Sequence, residues 1–136
     1  MKMLLLVIIT ALAASASFGS ENKAVVTPVL TTDVTAAGQP FTFPANNAQV
    51  VVATYEIPAG AALPEHKHAF PRFGYMLTGT LQVTNNETGK SQIYKAGEFI
   101  PEAIGQWHRG ANIGADTAKL VVIDVMEKGQ SNTTLR

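Results

Sequence analysis

The chain has 136 residues, with ten Lys+Arg against ten Asp+Glu, three histidines and no cysteine. A zero net charge argues against nucleic acid as a partner, which calls for a basic patch or stripe. The lack of cysteine removes disulfide staples and a lipid-modified thiol, so the low charge content leaves apolar burial as the main source of stability.

In chain order, the first segment reads as an export signal. Lys2 gives a positive start, residues 4–12 are apolar apart from Thr10, and Ala14-Ser15-Ala16 fits a small-x-small cleavage site. The apolar run is too short for a bilayer, which needs about 20 residues. Residues 1–16 are therefore predicted to be a signal peptide, sending the protein to the periplasm or outside the cell with no membrane attachment after cleavage. What remains is one ordinary domain of about 120 residues, with a slight acidic excess once Lys2 is gone.

Residues 17–24 read as a flexible leader, 25–128 as the folded domain, and 129–136 as a polar tail expected to fray unless it packs on a neighbour. Between them the texture is all-β: short runs of Val, Ile, Thr and aromatics, punctuated by Gly, Pro and Asn. Strands are predicted at 49–57, 73–77, 80–84, 91–95, 97–100, 106–109 and 119–125. Asn85 to Gly89 form a hairpin loop of residues that tolerate positive φ. No segment keeps a helical period over three turns. The expectation is one antiparallel β-barrel or jelly roll.

The three histidines are the informative feature. His66 and His68 are two apart, so on a strand both rings project to the same face. His108 follows beyond a hairpin and can converge on them inside a closed barrel. Neutral imidazole is a common metal ligand, so three converging rings suggest a divalent ion with open positions.

The surrounding pattern resembles the cupin family. Its first motif is matched by Gly60, His66-Lys67-His68 and Gly79, with Arg72 at the step between them. Its second is matched by Gly97, Gly105, His108 and Asn112, with Pro101 displaced by two. The resemblance covers residues 50 to about 125 and implies a cupin barrel. It implies metal ligands at His66, His68 and His108, glycines 60, 79, 97 and 105 at tight turns, and a structural role for Asn112.

One departure stands out: where the resemblance places a fourth ligand, a glutamate, this chain has Arg72. A guanidinium about 4 Å from a like unit charge is repelled by roughly 4 kcal/mol at an effective dielectric near 20. Three outcomes are open. Arg72 turns away from a three-histidine metal site; or it stays in the pocket to pair with an anionic substrate or an acid, Glu102 and Glu65 being the candidates and also candidate replacement ligands; or no metal binds. In the first case Arg72→Glu is expected to restore the ligand and tighten metal binding.

Phe70, Phe73, Tyr75, Met76 and Trp107 lie near the motif histidines as pocket or core candidates, with Arg72 and Glu102 as polar pocket candidates. Tyr55 and Glu56 face opposite ways on a central strand, and Arg109 is expected to face solvent. The function expected from the resemblance is a metal-dependent, dioxygenase-like oxidoreductase on a small organic molecule, with iron, manganese, zinc, nickel and copper all open as the ion. The alternative is a non-enzymatic barrel that binds a small ligand. Self-association, as a homodimer, is expected from Val-rich strand edges and low charge.

Overall fold

The structure, a computed structural model, describes residues 22–136. The predicted export signal lies outside the described residues, as does most of the leader.

Nine strands form in chain order: β1 (Ala48–Ile57), β2 (His66–Lys67), β3 (Arg72–Thr78), β4 (Thr80–Asn85), β5 (Ser91–Lys95), β6 (Phe99–Pro101), β7 (His108–Asn112), β8 (Ala118–Glu127) and β9 (Thr134–Leu135). There is no helix among the described residues, and none therefore long and apolar enough to cross a membrane. One sheet has the order β1-β8-β3-β6 and the other β5-β4-β7-β2-β9, with antiparallel pairing throughout. The two sheets face each other and enclose the core, the antiparallel barrel expected from the pattern.

Period-2 alternation sets what goes inside. Along β8, Ala118, Leu120, Val122, Asp124 and Met126 are buried while their neighbours are not. Along β3, Arg72, Gly74 and Met76 point inward. Met76, Leu81, Tyr94, Ile100, Leu120 and Val122 fill the space between the sheets. The glycines at 60, 79, 97 and 105 all have positive φ. Gly79 has a second reason to lack a side chain: a Cβ there would stand 2.7 Å from the Ala118 Cα, far inside van der Waals contact.

Two expectations are corrected. The strand carrying Tyr55 and Glu56 is not central: β1 is the edge of its sheet, with Val50, Val51 and Val52 exposed. The tail does not fray. Its Thr134 and Leu135 pair with β2, Asn132 is buried, and the Arg136 amide donates to the Glu65 carbonyl. Polar composition suggested a loose end, but Asn132 bonds Asp124 and Thr133 accepts from Arg72 inside the barrel, while the last strand covers the edge of β2.

Ahead of β1, the loop at Ala36–Gln39 folds against the end of β6. The Ala36 amide donates to the Pro101 carbonyl at 2.7 Å, and the Gln39 side chain bonds both backbone groups of Ile104. This loop forms one wall of the cavity described next.

Candidate metal centre

His66 and His108 are direct cross-strand partners on β2 and β7, and His68 follows two residues after His66 on the same face. The three rings meet inside the barrel with centroids 4.6 to 4.9 Å apart. All three are buried. Glu102, in the turn after β6, reaches into the same point: its Oε2 lies 3.0 Å from His68 Nε2 and 3.1 Å from His108 Nε2. One donor atom from each of His66, His68, Glu102 and His108 lies within 4.8 Å of the others, so this cluster could hold a metal ion.

The tautomers follow from the other ring nitrogens. His66 Nδ1 donates to the Pro64 carbonyl at 2.7 Å, His68 Nδ1 to the Asn132 carbonyl at 2.8 Å, and His108 Nδ1 to the Gln106 carbonyl at 2.8 Å. A carbonyl only accepts, so each Nδ1 carries a proton and, in the neutral ring, each Nε2 presents a lone pair. Such carbonyl partners orient metal-bound histidines. Lone pairs of His68 and His108 aimed at a carboxylate oxygen repel unless a cation lies between them: a proton on each ring, or a metal ion. The donor set thus fits a divalent ion bound by imidazole and carboxylate.

The acid–base balance agrees. Burial holds the His66 pKa below its ordinary value and favours its neutral form. Burial also opposes charge on His108, but the hydrogen bond and charge of Glu102 outweigh it and raise its pKa. For Glu102 burial favours the neutral acid, yet the bonds from His108 and His68 prevail and hold it as a carboxylate.

Arg72 lies inside the barrel but does not pair with Glu102 or Glu65. Its Nε and one terminal nitrogen donate to the two Asp124 oxygens at 2.7 and 2.8 Å, and it also donates to Thr133 Oγ1 at 3.0 Å. Burial disfavours its charge, but Asp124 and Glu102 more than compensate and keep it cationic. Asp124 faces Arg72 because the two are register partners on β8 and β3. Nothing local in the sequence links positions 52 residues apart, so pairing by proximity in the motif pointed to the wrong acid. Glu65 is neither ligand nor partner to Arg72: it accepts from Asn86 Nδ2 and Arg136.

A cavity of about 470 Å³ opens beside His108 and Glu102, walled by Ala36, Val83, Tyr94, Ile100 and Ala103 with Lys90 among its lining. A second space of only about 20 Å³ is lined by Tyr55, His66, Arg72, Glu102 and His108, about enough for one water.

The aromatic pocket candidates are elsewhere. Tyr75 and Phe73 alternate to the outer face of β3, where Phe73 joins Phe41 and Phe99. Trp107 lies beneath the Lys67 ammonium and the Arg136 guanidinium, 4.7 and 5.6 Å from its ring, and so caps the outside. Phe70 lies in the turn before β3, its amide held by Asn132 Oδ1, and neither space is lined by it. Met76 is core, and Arg109 is exposed as expected. Sequence adjacency to a ligand places a strand residue on the opposite face as often as beside it. Tyr94, which no motif marks, does line the cavity. Burial, with Glu102 and Glu98 nearby, pushes its pKa up to about 12. Asn112 is structural: it donates to the Ile57 and Asp116 carbonyls and accepts from the Gly114 amide.

This arrangement of inward histidines on antiparallel strands coincides with a family match: the Cupin domain model covers residues 53–124. The chain belongs to the cupin family. No curated protein matches its sequence. Among solved structures, this cupin is similar to the polyketide cyclase RemF from Streptomyces resistomycificus, at 20% identity and a TM-score of 0.54 over 64% of this chain. It spans 61% of the cyclase's own length. A predicted oxalate decarboxylase from Thermotoga maritima is 26% identical over 60% of this cupin and 69% of that chain, with a TM-score of 0.51. A protein with a double-stranded β-helix domain from Klebsiella pneumoniae is 19% identical over 85% and 86% of the two chains, with a TM-score of 0.55.

Proposed function

We propose that this cupin is an exported metal-dependent enzyme, an oxidoreductase of dioxygenase type acting on a small organic molecule. One observation carries the reading: three carbonyl-tethered imidazoles and one carboxylate bring their donor atoms within 4.8 Å of one another at the wall of a 470 Å³ cavity. His66, His68, His108 and Glu102 would hold the ion, Glu102 standing in for the glutamate expected at position 72. When bound, a divalent metal supplies Lewis-acid polarisation and a template for substrate and dioxygen. The chain's own part is to orient the donors through Pro64, Asn132 and Gln106, to keep Arg72 neutralised away from them, and to enclose the substrate between apolar walls. Nitrogen and carboxylate donors suit iron, manganese, nickel, copper and zinc alike.

Metal analysis of the purified protein, followed by oxygen uptake over a panel of small organic substrates, tests this. Stoichiometric iron, manganese, nickel or copper with substrate-dependent uptake supports it. Protein that carries a metabolite, takes up no metal and consumes no oxygen overturns it in favour of a non-enzymatic binding barrel.

The same reading includes export, on the strength of the first sixteen residues, and a homodimer. The dimer is supported by the β1 edge: Val50, Val51 and Val52 are 62, 40 and 62% exposed on a strand with one side unpaired. A second copy related by a two-fold axis would pair that edge with itself.

A further inference from the structure

We propose that Tyr94 is a positioning residue for substrate, its hydroxyl donating a hydrogen bond to an oxygen of a small organic carboxylate held beside Glu102 and His108. This rests on the metal-centre reading above and adds to it the substrate class. Tyr94 lies on β5 with its side chain turned into the barrel and is only 4% exposed. Its hydroxyl has no hydrogen bond to any described residue. No fully buried side-chain nitrogen or oxygen is left without a partner, so this hydroxyl opens onto the cavity that Tyr94 lines. A phenol set in a cavity wall has its O–H free to donate into that cavity, and an oxygen of a ligand held there can accept from it.

The other polar groups of that cavity define the ligand's charge. The Asn85 side chain is occupied by Gln106 and by the Glu87 and Thr88 amides, and the Ser91 hydroxyl by Thr84. The Lys90 ammonium makes no ion pair with a described residue. A divalent ion on three neutral imidazoles and one carboxylate keeps a net positive charge. A phenol donor, the exposed Lys90 ammonium and a cationic centre, set among Ala36, Val83, Ile100 and Ala103, match an anionic oxygen on a small apolar body.

The test uses full-length protein loaded with cobalt(II), whose visible spectrum reports both metal uptake and changes at the metal. Cobalt is titrated into wild type, Tyr94→Phe and Lys90→Gln, and each loaded protein is then titrated with isobutyrate and with isobutyramide. Wild type is expected to prefer the carboxylate to the amide. Tyr94→Phe is expected to weaken isobutyrate roughly ten-fold, with cobalt affinity within two-fold of wild type. Lys90→Gln is expected to weaken isobutyrate about three-fold and to lessen its salt dependence. Failure of wild type to take up cobalt overturns the metal reading itself. Cobalt uptake with equal isobutyrate affinity in wild type and Tyr94→Phe, or with no preference for carboxylate over amide, overturns the Tyr94 proposal alone. Should Tyr94→Phe fail to fold, Tyr94→Leu takes its place in the same titration, with equal isobutyrate affinity again overturning the proposal.

Discussion

Arg72 and Asp124 stand opposite each other in the register of β3 and β8, both facing inward, and meet through two hydrogen bonds of 2.7 and 2.8 Å. The Asp124 carboxylate also accepts from the Asn132 side chain, and the Asn132 carbonyl accepts from His68 Nδ1. The residue that displaces the family's glutamate is thus bound into a polar chain that ends on a candidate metal ligand. This changes the expectation for Arg72→Glu. A glutamate there faces Asp124, so two carboxylates share one buried site, and the carboxylate of the cluster already comes from Glu102.

Arg72→Glu and Asp124→Asn are therefore expected to destabilise the barrel by about 3 kcal/mol or more, since each leaves a buried charge uncompensated. Arg72→Glu is expected to leave metal affinity unimproved. Denaturant unfolding gives the first quantity and zinc titration the second; a tighter zinc site in Arg72→Glu would show that position 72 can still supply a ligand.

Asn132→Ala removes bonds to Asp124 and to the Phe70 amide, leaving a part-buried amide without its acceptor. The expected cost is roughly 2 kcal/mol, with weaker metal binding through a less firmly held His68. Thermal unfolding with and without zinc measures both. Identical behaviour to wild type in both conditions would return the tail to the frayed state its composition suggested.

Without metal, stability should follow a bell over pH. Glu102 has its pKa lowered from 4.5, so its contribution is present above 4.5 and is lost as pH falls. His108 has its pKa raised from 6.5, so its contribution is present below 6.5 and is lost as pH rises through the raised value. Their shared contribution is largest between these two ordinary values. His66, lowered from 6.5 by burial, acts the other way and costs stability as pH falls below 6.5. Unfolding of chelator-treated wild type and Glu102→Gln across pH 4 to 8 isolates the pair: the difference between them should peak inside the window. With metal present the trend reverses on the alkaline side, because the ion displaces the His108 proton and affinity rises with pH. A flat difference curve would remove Glu102 from the cluster.

Sedimentation at micromolar concentration is expected to give a dimer, and Val51→Lys with Val52→Lys on the β1 edge a monomer, because charge on an open strand blocks edge pairing. A monomeric wild type contradicts this reading of the edge.

The sequence by itself determined the all-β class, because Val- and Ile-rich runs at 49–57 and 119–125, turn residues between short strands and the lack of a helical period leave a sandwich, jelly roll or small barrel; the motif resemblance singled out the cupin barrel among them. It also located the three histidines, since a two-residue spacing on a strand puts His66 and His68 on one face whatever surrounds them. Only the tertiary structure decided what completes the site. Glu102 enters from the turn after β6, Asp124 reaches Arg72 through strand register, Asn132 returns from the tail, and Tyr94 comes from β5, two strands from β7 in the sheet that carries the histidines. Each of these contacts joins residues with no local pattern between them. Conversely Phe70, Tyr75 and Trp107, close to the ligands along the chain, are turned away from the cavity by the strands and turns that carry them. Local periodicity says which way a side chain points relative to its own strand; the pairing of distant strands decides what it meets there.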